Sequence, residues 1–192
     1  HNSVLASFQG FLMLVFHPIM ALRTLQFIIF PNLKSFGFIF KSLVLLPRVF
    51  EIFFNLKRDR PDIVHLFWGH YPCMVGYLVQ NYCPNIRLSM FLGAYDLIWN
   101  YGGTPIVAQK ADVVWTHCKA NIAKIRELGV TVEKIKLAYR GVDLGTINKK
   151  LVQRHRYRII SVGALQKSKK MDMVIRVFKK VKAKHDQASL VI

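Results

Sequence analysis

The sequence predicts an α/β protein made of two Rossmann-like, parallel-sheet domains. Three observations predict it. From residue 61 onward, short β-branched runs alternate with helix-type stretches. The runs are apolar along nearly their whole length, as strands of a parallel sheet covered on both faces are. The pattern then halts around residues 141–156 and starts afresh.

Residues 1–60 precede the alternation. No Lys, Arg, Asp or Glu occurs in residues 1–22, yet Asn2, Ser3, Ser7, Gln9, His17 and Pro18 interrupt that stretch. Arg23, Lys34, Lys41 and Arg48 cut the apolar runs that follow, so no spanning helix is expected. A signal peptide is not expected either, because no basic segment leads in and no small-residue cleavage site follows. What remains is a set of very apolar helices carrying isolated cations. Two readings fit them: an amphipathic surface lying in the headgroup plane of an anionic membrane, or core helices of a domain whose other half is missing.

In the first domain, residues 62–67 (DIVHLF), 87–92 (RLSMFL), 112–116 (DVVWT) and 134–138 are predicted strands. Residues 74–82 and 119–128 are predicted helices, the second closed by Gly129. His65, inside the first strand, is expected to be a buried, hydrogen-bonded core histidine. Residues 148–157 are polar and basic, of linker type. Residues 158–162 (RIISV) form a new strand ended by Gly163, and residues 172–184 a helix capped by Asp172 with Val174, Ile175, Phe178 and Val181 on one face. Residues 190–192 open another strand. The expected organisation is an N-terminal domain at 1–147 lacking its first strands, a linker at 148–157, and the start of a C-terminal domain at 158–192.

Composition narrows the function classes. With 53% hydrophobic residues in 192, the chain has enough apolar material for a core and too much for a disordered protein. The net charge of +18 divides as +5 over residues 1–60, +4 over 61–150 and +9 over 151–192, so anionic partners are expected, most strongly at the C-terminal end. Cys73, Cys83 and Cys118 are odd in number and lack metal-ligand spacing, which favours a reducing, cytoplasmic setting over a disulfide framework or zinc site. No nucleic-acid motif accompanies the charge.

Ligands of parallel α/β sheets bind at the carboxyl ends of strands. That rule selects Trp68, Gly69 and His70 after the first strand, Gly93 to Asp96 after the second, and His117 after the third. Asp96 is expected at the rim, within reach of a hydroxyl. His117 and Cys118 are adjacent at a strand end where their side chains diverge, which does not suit a thiol nucleophile. Lys167, Lys169 and Lys170 precede a helix after a glycine, and cations there reinforce the positive end of the helix dipole.

Five runs in order then carry a family resemblance: IVHLFWG (63–69), GAYDL (93–97), ADVVWTHCKAN (111–121), RGVDL (140–144) and RIISVGALQKSKKMDMVI (158–175). Over residues 61–192 the chain resembles glycosyltransferase family 4, whose GT-B architecture sets two Rossmann-like domains across a cleft. The resemblance implies a nucleotide-sugar donor, a lipid-linked or polysaccharide acceptor, and transfer with retention that needs no metal or other cofactor. It implies Gly163, Lys167 and Lys170 at the donor phosphates and Lys170 and Asp96 as catalytic residues. Trp68, Gly69, His70, Gly93, Tyr95 and Asp96 would then bind the acceptor sugar. A fixed cation beside a departing diphosphate stabilises the charge that develops there.

There are departures. Gly93 stands where the family often has His, Ala164 where it often has Arg, and Met171 where it often has Gly; Glu51, Glu127 and Glu133 do not form the family's spaced glutamate pair, which is expected beyond Ile192. The expectation is a peripheral protein on the inner face of the cytoplasmic membrane, with an anionic membrane surface and no nucleic acid among its partners, and a chain inactive by itself. The alternative is a non-catalytic basic Rossmann-like binding module, or a degenerate transferase, on an anionic membrane.

Overall fold

The computed structural model describes residues 3–141 and 155–192, which fall into two compact units, His1–Gly141 and Val142–Ile192. Residues 148–154 of the expected linker, and Val142, Asp143 and Leu144 of the RGVDL turn, lie outside the described residues.

The first unit opens with three helices, α1 (Ser3–Phe16), α2 (Pro18–Ile29) and α3 (Phe36–Asp59), with a 3-10 turn at Phe30–Asn32. Pro18 begins α2, where its missing N–H costs nothing. Helix α1 crosses α3 closely at Gly10, where an added Cβ would stand 1.8 Å from the carbonyl oxygen of Pro47. Only glycine permits that approach. Helix α3 ends at Arg60, which adopts the left-handed conformation (φ 47°) and returns its N–H to the carbonyl of Leu56.

Four strands follow: β1 (Ile63–Leu66), β2 (Arg87–Phe91), β3 (Val113–Thr116) and β4 (Ile135–Leu137). They form one parallel sheet in the order β1-β2-β3-β4, with Ile63 opposite Arg87, Ser89 opposite Val113 and Val114 opposite Ile135. Between them lie α4 (Cys73–Tyr82), α5 (Ala94–Trp99), α6 (Gly103–Lys110) and α7 (Ala120–Glu127). Gly76 of α4 sits against Leu66, Leu88 and Val107, so α4 and α6 cover the same strands.

The expectation of a sheet covered on both faces is corrected here. Val64, Leu66, Leu88, Met90 and Val114 are buried under the helices, whereas Ile63, His65 and Phe67 are exposed on the opposite face. The reason is topological: each strand is added on the same side of the last, and right-handed crossovers then place their helices on one face. His65 accordingly lies in solvent rather than in the core. Its Nδ1 meets Ser89 Oγ at 2.9 Å, and that hydroxyl also accepts the indole N–H of Trp115 at 3.0 Å.

Residues 94–110 carry two helices that the residue pattern does not announce. Gly93, Gly102, Gly103 and Pro105 punctuate the segment, and α5 is only six residues long.

The second unit pairs β5 (Arg158–Ile160) with β6 (Ser189–Val191) in parallel, joined through a 3-10 turn at Lys167–Lys169 and α8 (Met171–Lys184). Val174, Phe178 and Val181 are half-buried as expected, but Ile175 is exposed. Asp172 does not cap α8. Its carboxylate pairs with Arg176 one turn on, and the N-cap position is held by Lys170 in the left-handed conformation.

Candidate functional site

The carboxyl ends of β1 and β2 lie side by side because the two strands pair in parallel and in register, with Leu66 opposite Met90. The chain beyond β1 carries Phe67, Trp68, Gly69 and His70, and the chain beyond β2 passes through Leu92 and Gly93 into α5. Tyr95 and Trp99 are four residues apart and therefore share one face of that short helix.

Asp96 joins the two strand ends. Its Oδ1 accepts the backbone N–H of Gly69 at 2.8 Å, and its Oδ2 accepts that of Gly93 at 2.9 Å. The side chain is 1% exposed, so Asp96 lies at the floor of the site and not at its rim. The Gly69 carbonyl is tied down as well: it accepts the Cys73 thiol at 2.7 Å and the hydroxyl of Thr104. An added Cβ at Gly69 would stand 2.3 Å from Cδ2 of Leu92, which explains the glycine there. At Gly93 the same atom would find ordinary contacts of 3.5 to 3.7 Å with Phe91, Asp96 and His117. Both glycines thus act through their backbone N–H groups.

Above this floor Trp68, His70, Tyr95 and Trp99 line a cavity of about 300 Å³. The His70 ring stands edge-to-face with both indoles, 5.9 Å from Trp68 and 5.6 Å from Trp99. His70 Nδ1 is 3.3 Å from Asp96 Oδ1, near enough for an ion pair when the ring is protonated. It lies off the line of a hydrogen bond, and that oxygen already holds the Gly69 N–H. His117, at the end of β3, stacks on Phe91 with ring centroids 5.5 Å apart, and its Nδ1 is buried without a hydrogen-bond partner among the described residues.

Burial tunes two groups around the site. It drives the Cys73 thiol far above its usual range, so the group stays a neutral hydrogen-bond donor and not a nucleophile. The Tyr101 phenol, fully buried and 2.9 Å from the Ser42 hydroxyl, is raised for the same reason.

Of the residues singled out from sequence, the structure brings together Trp68, Gly69, His70, Gly93, Tyr95 and Asp96. Trp99 is the member that sequence reading missed. Its signal is the four-residue spacing from Tyr95, legible only once residues 94–99 are known to be helical.

In the second unit, Gly163 lies on the exposed loop after β5, Lys167 in the 3-10 turn and Lys170 at the first position before α8, all in solvent. An added Cβ at Gly163 would meet the mobile end of Met171 at 2.6 Å. Among the described residues, no group of three His, Cys, Asp or Glu side chains is placed to hold a metal ion. Comparison of the sequence with known protein families and with curated proteins finds no match.

Proposed function

We propose that the chain takes part in nucleotide-sugar-dependent glycosyl transfer, its first unit binding the acceptor sugar and its second the donor diphosphate, in a GT-B arrangement with retention. The observation that carries the reading is the aromatic-walled cavity at the carboxyl ends of β1 and β2. Aromatic faces pack against the apolar C–H face of a pyranose, and a cavity of this kind needs few polar groups to orient its ligand. Trp68, Tyr95 and Trp99 supply the faces, His70 supplies a ring that can exchange a proton, and Asp96 holds the floor in place through Gly69 and Gly93.

On the donor side, Lys167 and Lys170 stand before a helix of 14 residues whose dipole adds to their charge. A nucleoside diphosphate leaving from the sugar carbon gathers negative charge on its phosphates, and the Lys170 ammonium would stabilise it.

One observation favours a second reading, sugar recognition without turnover. Both carboxylate oxygens of Asp96 accept backbone N–H groups and the side chain is only 1% exposed, so the carboxylate nearest the cavity is poorly placed to meet a substrate hydroxyl.

Two of the three tryptophans line the cavity, so intrinsic fluorescence reports its occupancy. Titration with neutral alkyl glycosides is expected to shift the emission, and Trp99→Ala to abolish the shift. Titration with uridine and guanosine diphosphate-sugars is expected to show binding that Lys170 substitution weakens. Absence of any response to glycosides would refute the acceptor reading. Response to glycosides with no binding of either diphosphate-sugar would favour the second.

A further inference from the structure

The helices ahead of the sheet expose what core helices bury. Helix α1 packs Gly10, Met13 and Leu14 toward α3 and turns Phe8, Phe11, Val15 and Phe16 to solvent, at the spacing of one continuous helical stripe. Helix α3 repeats the arrangement. Leu46, Val49, Phe50 and Phe53 face the core, while Phe36, Phe40 and Val44 are exposed beside Lys41. Phe36 is 81% exposed and Phe16 72%. Single exposed apolar residues need no explanation, but two such stripes on helices packed against each other mark a binding surface.

Charge and shape identify the occupant. Residues 1–50 contain Arg23, Lys34, Lys41 and Arg48 and no acidic residue at all. Arg48 is paired with Glu51 at 2.6 Å; Lys34 and Lys41 are exposed. A second copy docked on this same face would set cation against cation. Among the described residues, no single helix is long and apolar enough to cross a membrane. The apolar segments of α1 and α2 meet at a bend of 106°, so the two do not continue one another as a straight span. Apolar aromatics with cations alongside match the headgroup region of an anionic membrane.

We propose that α1, α2 and α3 form a docking surface for an anionic lipid bilayer, lying in its plane with the exposed phenylalanines inserted and Lys34 and Lys41 on the headgroups. Behind the exposed stripe, half-buried Phe38 on the inner side of α3 meets Tyr71 edge-on at 6.4 Å, and Tyr71 meets His70 at 5.2 Å, so α3 is packed against the segment that carries the cavity. This inference goes beyond the sugar-transfer reading and does not depend on it.

Flotation of the whole chain with vesicles tests it. The chain is expected to float with phosphatidylcholine vesicles containing phosphatidylglycerol, and much less with phosphatidylcholine alone. Phe11→Ser with Val15→Ser should lower the bound fraction at least tenfold. Lys34→Glu with Lys41→Glu should remove the preference for anionic vesicles. All four side chains are exposed, and circular dichroism checks that each variant keeps its fold. A chain that stays in the aqueous fraction with both vesicle types overturns the proposal, as does vesicle binding unchanged by the α1 pair. Conversion of a soluble oligomer to a monomer by that pair, without vesicle binding, assigns the surface to a second copy. Glycoside titrations are read separately, so failure of either reading leaves the other standing.

Discussion

Oδ1 of Asp96 accepts the backbone N–H of Gly69 at 2.8 Å, across 27 residues of sequence, and so fastens the loop after β1 to the helix after β2. The cavity between Trp68 and Trp99 depends on that fastening, because each indole belongs to one of the two joined segments.

Asp96→Asn removes one acceptor oxygen and leaves a backbone N–H buried without a partner, which should cost about 1–3 kcal/mol. Asp96→Ala, which removes both, should cost more. Urea denaturation followed by circular dichroism measures the loss, and the glycoside response should fall with it. Unchanged stability in Asp96→Asn would mean that the carboxylate does not hold the strand ends together.

The two glycines of the floor should respond differently to alanine. At Gly69 the new Cβ would press on Leu92 and Thr104, and overpacking of this kind costs about 1–3 kcal/mol. At Gly93 the backbone is extended (φ −97°, ψ 178°) and the new Cβ finds only ordinary contacts, so Gly93→Ala should be nearly neutral. Thermal melting of the two variants side by side checks the contrast.

Alkaline pH should unfold the first unit earlier than its ion pairs alone suggest. The Cys73 thiol and the Tyr101 phenol are both raised by burial, so their contribution to stability is complete at neutral pH. It is lost as pH climbs past the unfolded-state values, from about 8.5 for the thiol and about 10 for the phenol, because only the unfolded chain then releases the proton. The melting temperature should fall steadily across this range. Cys73→Ser keeps a donor to the Gly69 carbonyl but does not titrate there, so it should flatten the first part of the decline. Rapid alkylation of Cys73 in the native protein at pH 8.5 would contradict this account.

Lys170 holds φ 49° and ψ 43°, a conformation that glycine adopts freely and that costs other residues about 1–2 kcal/mol. Lys170→Gly therefore removes the ammonium without adding strain, a cleaner test than alanine. Binding of nucleoside diphosphate-sugars should weaken at least tenfold while the helical signal of the variant stays at or above that of the parent chain. Undiminished binding would remove Lys170 from the donor phosphates.

The alternation from residue 61 onward reads directly as β1, α4, β2, β3, α7 and β4, because a period of two or of 3.6 residues is a local property of the chain. The strand-end rule reaches Trp68, His70, Tyr95 and Asp96 by the same local logic. Helices α5 and α6 escape it because glycine and proline break their pattern, and Trp99 is missed along with them.

What the sequence determined by itself is the set of elements, the strand ends that could bear chemistry, and the cationic, acid-free character of residues 1–50. What only the tertiary structure decided is which faces those elements bury. Sequential strand order leaves one side of the sheet open and puts His65 in solvent. The fit of α1 on α3 at Gly10 turns one apolar stripe inward and leaves another outside, separating a core role from a surface role. Asp96 becomes a fastening beneath the cavity because parallel pairing brings the Gly69 N–H within its reach. Periodicity is written along the chain; burial depends on which distant segment packs against it, and no local pattern contains that information.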